Sequence, residues 1–272
     1  MIDLIPLLLL AGLLVGAGSA LWRRWRGAAR GWRRAGRLLA LCLACFALTG
    51  AGTSALMNAR SFQVFGALVT RVKTDERVVA LTFDDGPEPG YSDEVLGILA
   101  ARGAKGTFFV MGSSVEAHME ETRRIVAAGH ELGNHTYSHE RMIFRSPSFV
   151  REEIERTDVL IRQAGYEGPI HFRTPNGKKL FLLPFYLAQT GRTHIFWDAE
   201  PESDPEIAAS AQAIVDDTLG RVRPGSIILL HVMYPSRATS REALPLLIDG
   251  LQAQGYRLVT VSELLALGEP EP

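Results

Sequence analysis

From residue 78 onward, short and almost wholly apolar runs alternate with longer stretches whose apolar positions recur at helical spacing. The short runs predict strands at 78–83, 106–111, 131–134, 170–173, 193–197, 226–231 and 257–261. Between them the pattern predicts helices at 92–102, 116–128, 147–164, 182–190, 206–222 and 241–254. The clearest helix carries Ser146 at the N-cap, Pro147 at the first helical position and Gly165 as its stop. Such alternation argues for an α/β fold with a parallel sheet. The pair Asp84 and Asp85, then His135, Arg173, Asp198 and His231, fall at or just past the ends of five different predicted strands. Polar residues gathered at strand ends favour a closed barrel over an open sheet, because a barrel brings its carboxyl ends to one face. No Gly-x-Gly-x-x-Gly or Walker-type loop follows the first strand, so a nucleotide site lacks its main support.

The first sixty residues follow another rule. Residues 4–22 hold no charged side chain, and 38–59 form a second uncharged run, each long enough to cross a hydrocarbon core. Between them lie seven Arg with Trp25 and Trp32, a composition that favours the cytoplasmic side and the headgroup layer. The expected topology is two transmembrane helices with a cytoplasmic loop over 1–60, a connector over 61–75 and an exported domain over 76–272. That domain faces the periplasm or cell exterior from the inner membrane. A signal peptide ending in the small residues 51–55 is the competing reading, and it exports the domain as well. Cys42 and Cys45 are the only cysteines and lie in the second apolar run, where they read as small apolar filler. The remainder of the chain therefore has neither a disulfide framework nor a thiolate catalyst.

The formal net charge of −1 hides a partition. Eight Arg and one acid, Asp3, lie in the first 60 residues, leaving 21 basic and 29 acidic side chains beyond them. A body with a charge of about −8 is a poor binder of nucleic-acid phosphates.

Within that body, the first strand ends in adjacent carboxylates, Asp84 and Asp85, before Gly86-Pro87 turns the chain. One acid can coordinate a cation while the other accepts a proton; as ordinary residues, both would cap a turn. His135 and His139 stand at i, i+4, which on a helical turn brings both imidazoles to one side as metal ligands, or as an ordinary histidine pair. Arg173 ends the fourth strand, where a guanidinium suits a carboxylate or a substrate, and Pro175 and Gly177 make a rigid turn after it. His231 emerges from an apolar strand at the same end, a position that suits a catalytic acid.

Together, TFDDG at 82–86, H-T-x-x-H at 135–139, R-x-P-x-G at 173–177 and L-x-H at 229–231 resemble the polysaccharide deacetylase family, also called the NodB-homology or carbohydrate esterase family 4 domain. The resemblance spans about residues 76–266 and implies a distorted (β/α) barrel of seven or so parallel strands. It implies that Asp85, His135 and His139 bind a divalent metal, zinc. Asp84 would be the general base, His231 the general acid, and Arg173 the tether of Asp84. Leu229 would line the pocket for the acetyl methyl, and Pro175, Asn176, Gly177 and Trp197 would complete the substrate-binding wall.

Two departures stand out. Asn176 replaces a frequent aromatic residue, and the fourth motif, WDAEPESD at 197–204, lacks the family's following Trp. Asp198, Glu200 and Asp204 are then the candidates to orient His231. The expected reaction is metal-dependent removal of N-acetyl groups from an N-acetylglucosamine-containing envelope glycan, with release of acetate. The expected partners are that glycan and membrane lipid, not nucleic acid. The alternatives are an iron(II) oxygenase, which shares a two-His, one-carboxylate ligand set but leaves Arg173 and His231 unexplained, and a non-catalytic glycan-binding protein.

Overall fold

A computed structural model describes residues 31–272 of the chain. Its elements run α1 (Gly31–Asn58), β1 (Leu68–Val69), β2 (Arg71–Lys73), β3 (Val78–Asp84), α2 (Tyr91–Ala101), β4 (Thr107–Val110), α3 (Gly112–Ala117), α4 (Met119–Ala127), β5 (Glu131–Asn134) and α5 (Pro147–Gln163). They continue with α6 (Leu182–Gln189), β6 (His194–Ile195), α7 (Pro205–Ala208), α8 (Ala211–Arg221), β7 (Ile227–Leu230), α9 (Ala238–Ala253), β8 (Arg257–Val259), α10 (Val261–Leu265) and β9 (Glu269–Glu271).

The main sheet has the order β5-β4-β3-β7, with β8 also on β3, and every pairing in it is parallel. Single bridges carry the sheet onward from β5 to Phe172 and from Phe172 to β6, which pairs with β1. The chain beyond β6 reaches β7 through a bridge between Ala199 and Ile228, so the strands run round a distorted barrel. The predicted strand at 170–173 survives only as that one bridged residue. Pro169 and Pro175 bracket it, and neither can donate to a ladder.

Strand β3 shows how the barrel places its chemistry. All seven residues are buried, as a parallel strand covered on both faces requires. Val79, Leu81 and Phe83 join the cluster under the helices, while Val78 and Ala80 join the inner cluster with Phe109, Ile195 and Ile227. The inward series 78, 80, 82, 84 is thus apolar at the bottom and ends in Thr82 and Asp84. Register sets Thr82 beside Leu229 and Asp84 beside Phe109.

Several expected elements are divided or shortened. The helix expected over 116–128 is two helices that meet at His118 (φ −131°, ψ 51°). The one expected over 206–222 is split where Ser210 caps α8 by accepting from the Ala213 N–H. Strand β8 stops at Val259 because Thr260 and Glu263 form a capping box that starts α10. The expected connector carries β1 and β2, and β2 pairs antiparallel with β9.

At the amino end, α1 includes a 21-residue apolar stretch, Leu38–Asn58, with none of it buried, close to the ~30 Å of a hydrocarbon core at 1.5 Å per residue. Residues 31–37, expected in the basic loop, are instead helical and continuous with this stretch. The first expected span, 4–22, lies outside the described residues.

Candidate active site

Three strand ends and two loops build the site. Past β3 the chain turns sharply: Asp85 has φ 72° and Gly86 φ 67°, both left-handed. Glycine suits position 86 because it adopts this left-handed φ without strain, and a Cβ there would also lie 3.0 Å from side-chain atoms of Met233. The turn is tied to the neighbouring strand by Asp85 N–H donating to the Phe109 carbonyl and Met111 N–H to that of Gly86, both at 3.1 Å.

The loop after β5 brings in the histidines. It is not the helical turn expected from their spacing, because Thr136 (φ 67°) and His139 (φ 58°) are left-handed. A β-branched residue in that region is strained and needs surrounding support. Asn134 Oδ1 accepts from the Thr136 N–H at 2.8 Å, and buried Glu153 on α5 accepts from the N–H groups of Tyr137 and Ser138 at 3.0 and 2.8 Å. The imidazoles still converge, with ring centroids 5.0 Å apart.

Asp85 Oδ1 lies 3.2 Å from His139 Nε2 and 3.6 Å from His135 Nε2, and one ligand atom from each of the three residues falls within 4.8 Å of the others. The Oδ1 atom is buried without a hydrogen-bond partner, an arrangement that leaves a carboxylate oxygen directed at a cation position. His135 Nδ1 donates to the Arg173 carbonyl at 2.9 Å. A carbonyl only accepts, so a proton sits on Nδ1, and Nε2 is the nitrogen turned toward Asp85. Burial, then the charge of His135, lowers the His139 pKa, which keeps that ring a neutral donor. The residues present fit a divalent cation.

Asp84 turns away from this trio. Its Oδ1 accepts from Arg173 Nη1 at 2.7 Å, while its Oδ2 is 3.7 Å from His135 Nε2. Burial would raise the Asp84 pKa, but the charge of Arg173, followed by those of His135 and His231, holds it below the ordinary value. Arg173 is fully buried and spends its donors on Thr82 Oγ1 (2.8 Å) and the Ile195 and Phe196 carbonyls (3.2 and 3.1 Å). Its guanidinium lies 4.0 Å from the centre of the Phe109 ring. Desolvating such a pair is costly unless every donor is matched, and here the matching is nearly complete.

His231 follows β7. Its Nδ1 donates to Glu202 Oε2 at 2.6 Å, its own N–H donates to the same oxygen at 2.8 Å, and Ser240 Oγ donates to Glu202 Oε1. Burial would lower the His231 pKa, yet the Glu202 hydrogen bond and the charges of Asp84, Glu202 and Asp85 push it up to about 9. Strand β7 runs parallel to β3 with Leu230 beside Phe83, so His231 emerges level with Asp84 at the same rim.

The residue against His231 is thus Glu202, not Asp198, Glu200 or Asp204. Asp198 accepts from Ser226 Oγ and the Ile227 N–H at 2.8 and 3.0 Å, fastening the start of β7, and Asp204 caps α7 through the Glu206 N–H. Glu200 Oε2 is buried and unpartnered. The sequence signal for Glu202 was its place in the same acidic stretch, but four acids in seven residues carry no mark of which one turns inward.

Leu229 is 2 % exposed next to Thr82. Pro175, Asn176 and Gly177 form a 3₁₀ turn with Asn176 exposed and left-handed at φ 57°. Trp197 stacks on Phe196 at 5.2 Å, and a Cβ on Gly177 (φ 62°) would meet its ring at 3.4 Å, so the turn lies against the indole.

Comparison with known proteins agrees with this geometry. A family model described as polysaccharide deacetylase matches residues 71–194. A peptidoglycan-N-acetylglucosamine deacetylase of Bacillus cereus is 31 % identical over 204 residues, 74 % of this chain and 93 % of that protein. A chitooligosaccharide deacetylase of Sinorhizobium fredii is 39 % identical over 201 residues, 69 % of this chain and 92 % of that protein. Among solved structures, the peptidoglycan deacetylase PdaC of Bacillus subtilis superposes with a TM-score of 0.64 at 33 % identity, covering 72 % of this chain and 93 % of that one.

Proposed function

The chain belongs to the polysaccharide deacetylase family, and from that premise we propose a hydrolase that removes N-acetyl groups from an N-acetylglucosamine-containing envelope glycan and releases acetate. The observation that carries this reading is the convergence of Asp85, His135 and His139 beside an Arg-tethered Asp84, with a protonated His231 on the same rim.

In this reading Asp85, His135 and His139 hold a divalent cation, zinc by its preference for imidazole and carboxylate donors. When bound it supplies Lewis acidity toward the acyl oxygen of the substrate. Asp84 takes the proton of the attacking water. Arg173 fixes its orientation and keeps it ionised, so at neutral pH it is free to accept. Attack produces an oxyanion, and in this reading a backbone N–H of the turn after Arg173, that of Thr174 or Asn176, stabilises it, a donor typically worth about 2.7–4 kcal/mol. His231 donates its proton to the departing amine, and Glu202 both orients the ring and keeps it charged. Leu229 contributes an apolar wall for the acetyl methyl, and Trp197 with the Pro175–Gly177 turn a surface for the sugar.

Leu38–Asn58 is read as a transmembrane anchor, with 4–22 as its partner span and the barrel outside the cytoplasm. Such a tether favours an envelope polymer or a membrane-bound glycan over a diffusing oligosaccharide. Glu202 stands as the acid beside His231 that the altered fourth motif left open, which supports a catalytic protein over a non-catalytic glycan-binding one. Incubating the metal-loaded protein with N-acetylated glycans tests the reading: acetate and a mass loss of one acetyl per turnover are expected, and binding without acetate release from every glycan overturns it.

A further inference from the structure

The junction between α1 and the barrel carries a surface that the reaction does not use. Lys178 Nζ donates to Asn58 Oδ1, Lys179 Nζ to the Ala59 carbonyl, and the Lys179 N–H to the Met57 carbonyl at 3.4 Å. Lys179 is buried, and the Arg60 guanidinium lies 5.2 Å from the centre of the Trp197 ring. The end of the apolar helix is therefore fastened to the residues that immediately follow the Pro175–Gly177 turn, at the mouth of the barrel.

Beside this junction stands an exposed aromatic ridge. Phe181 and Phe185, at the start of α6, are 52 % and 46 % exposed, and Phe62 and Phe65, in the segment leaving α1, are 57 % and 40 % exposed. The Phe65 and Phe185 rings meet edge to face at 5.4 Å, and Gly66 packs so closely on α6 that a Cβ there would lie 3.2 Å from that of Ala188. The two segments are thus one surface. Residues 60–67 and 178–188 contain three cations, Arg60, Lys178 and Lys179, and no acid, in a body that is otherwise strongly acidic.

We propose that this ridge seats on the bilayer, with its aromatic rings in the interfacial layer and Arg60 and Lys178 at the level of anionic headgroups. Three observations single out lipid as the occupant. The ridge is continuous with the helix of Leu38–Asn58, whose last turn is bonded to it. Its charge is opposite to that of the body and of anionic lipid. Its chemistry, aromatic rings flanked by Arg and Lys, is that of interfacial anchors. Seating the ridge turns the catalytic mouth toward the membrane surface, so the substrate is the membrane-proximal part of a glycan or a sugar carried on a lipid. This inference rests on reading Leu38–Asn58 as a transmembrane anchor.

The test uses the full chain with Cys42→Ser and Cys45→Ser, reconstituted into phosphatidylethanolamine/phosphatidylglycerol vesicles. Single spin labels are placed at Phe65→Cys, Phe181→Cys, Phe185→Cys, Leu48→Cys and Leu246→Cys. Leu246 on α9 is 47 % exposed and controls for apolar character alone. Labels at 48, 65, 181 and 185 are expected to be several-fold more accessible to oxygen than to a water-soluble nickel chelate, and the label at 246 the reverse. Lipid exposure at 48 with water exposure at 65, 181 and 185 overturns the seating and leaves the anchor standing. Water exposure at 48 removes the anchor itself. Labels on the ridge shielded from both reagents reveal a protein cover and also overturn the proposal. Acetate release by each labelled protein establishes that it is folded.

Discussion

His231 keeps its proton at neutral pH because Glu202 holds its Nδ1–H against the pull of burial. The sign of the consequence follows directly. With the pKa raised from 6.5 to about 9, the acid is fully charged below 6.5 and is lost as pH rises through about 9. Acetate release should therefore fall on the alkaline side near pH 9. In Glu202→Gln that limb should move down toward the ordinary histidine range, with kcat at pH 8 lowered by about 10–100-fold, a part of the 10²–10⁴ that general acid catalysis supplies. An unmoved limb in the pH–rate profile would show that Glu202 does not tune the acid. The two adjacent carboxylates should separate just as cleanly. Asp85→Asn is expected to lose bound metal together with activity, and Asp84→Asn to keep its metal while losing turnover, as read by elemental analysis beside acetate release. The doublet at 84–85 is legible from sequence, and the proposed division of labour within it comes from the family motif. Which acid faces Arg173 depends on the left-handed turn at Asp85, and that is a property of the folded strand end.

At the scale of elements, the loop from β5 to α5 matters most, because it holds two proposed ligands in a strained conformation. Glu153 supports it from α5, the helix that also holds the Asn134 amide through the Ile154 carbonyl and Asp158. Glu153→Ala should leave the fold intact and weaken metal affinity by about 10–100-fold, the usual penalty for losing an outer support of a ligand; a metal titration measures it. The Asp84–Arg173 pair offers a second test. Removing one partner strands a buried charge, so Arg173→Met should cost about 3–5 kcal/mol in denaturant unfolding, and Asp84→Leu added to it should recover most of that loss. Sequence periodicity located β3, β4, β5, α5 and α9 well, because each has a strong apolar pattern and, for α5, explicit caps. It missed β1, β2 and β9, which are two or three residues long and hold their place by pairing with distant segments. The break at His118 escaped it as well, since the apolar spacing continues across the kink.

For the whole molecule, the proposed reading is a barrel enzyme held at a membrane by its apolar helix. The intact chain is expected to remain in the membrane pellet after alkaline carbonate extraction, and recovery in the supernatant would show that Leu38–Asn58 does not span. The sequence by itself determined the α/β alternation, the apolar amino end, the charge partition and the side chains available for chemistry, because each of these depends on composition and local spacing. Only the tertiary structure decided that Glu202 meets His231, that Glu153 braces the histidine loop, that the barrel closes through Ala199, and that the helix end bonds to Lys178 and Lys179. Those contacts join positions far apart in the chain. Local pattern cannot choose among chemically equivalent acids or lysines; only the packing of β-strands around one axis does.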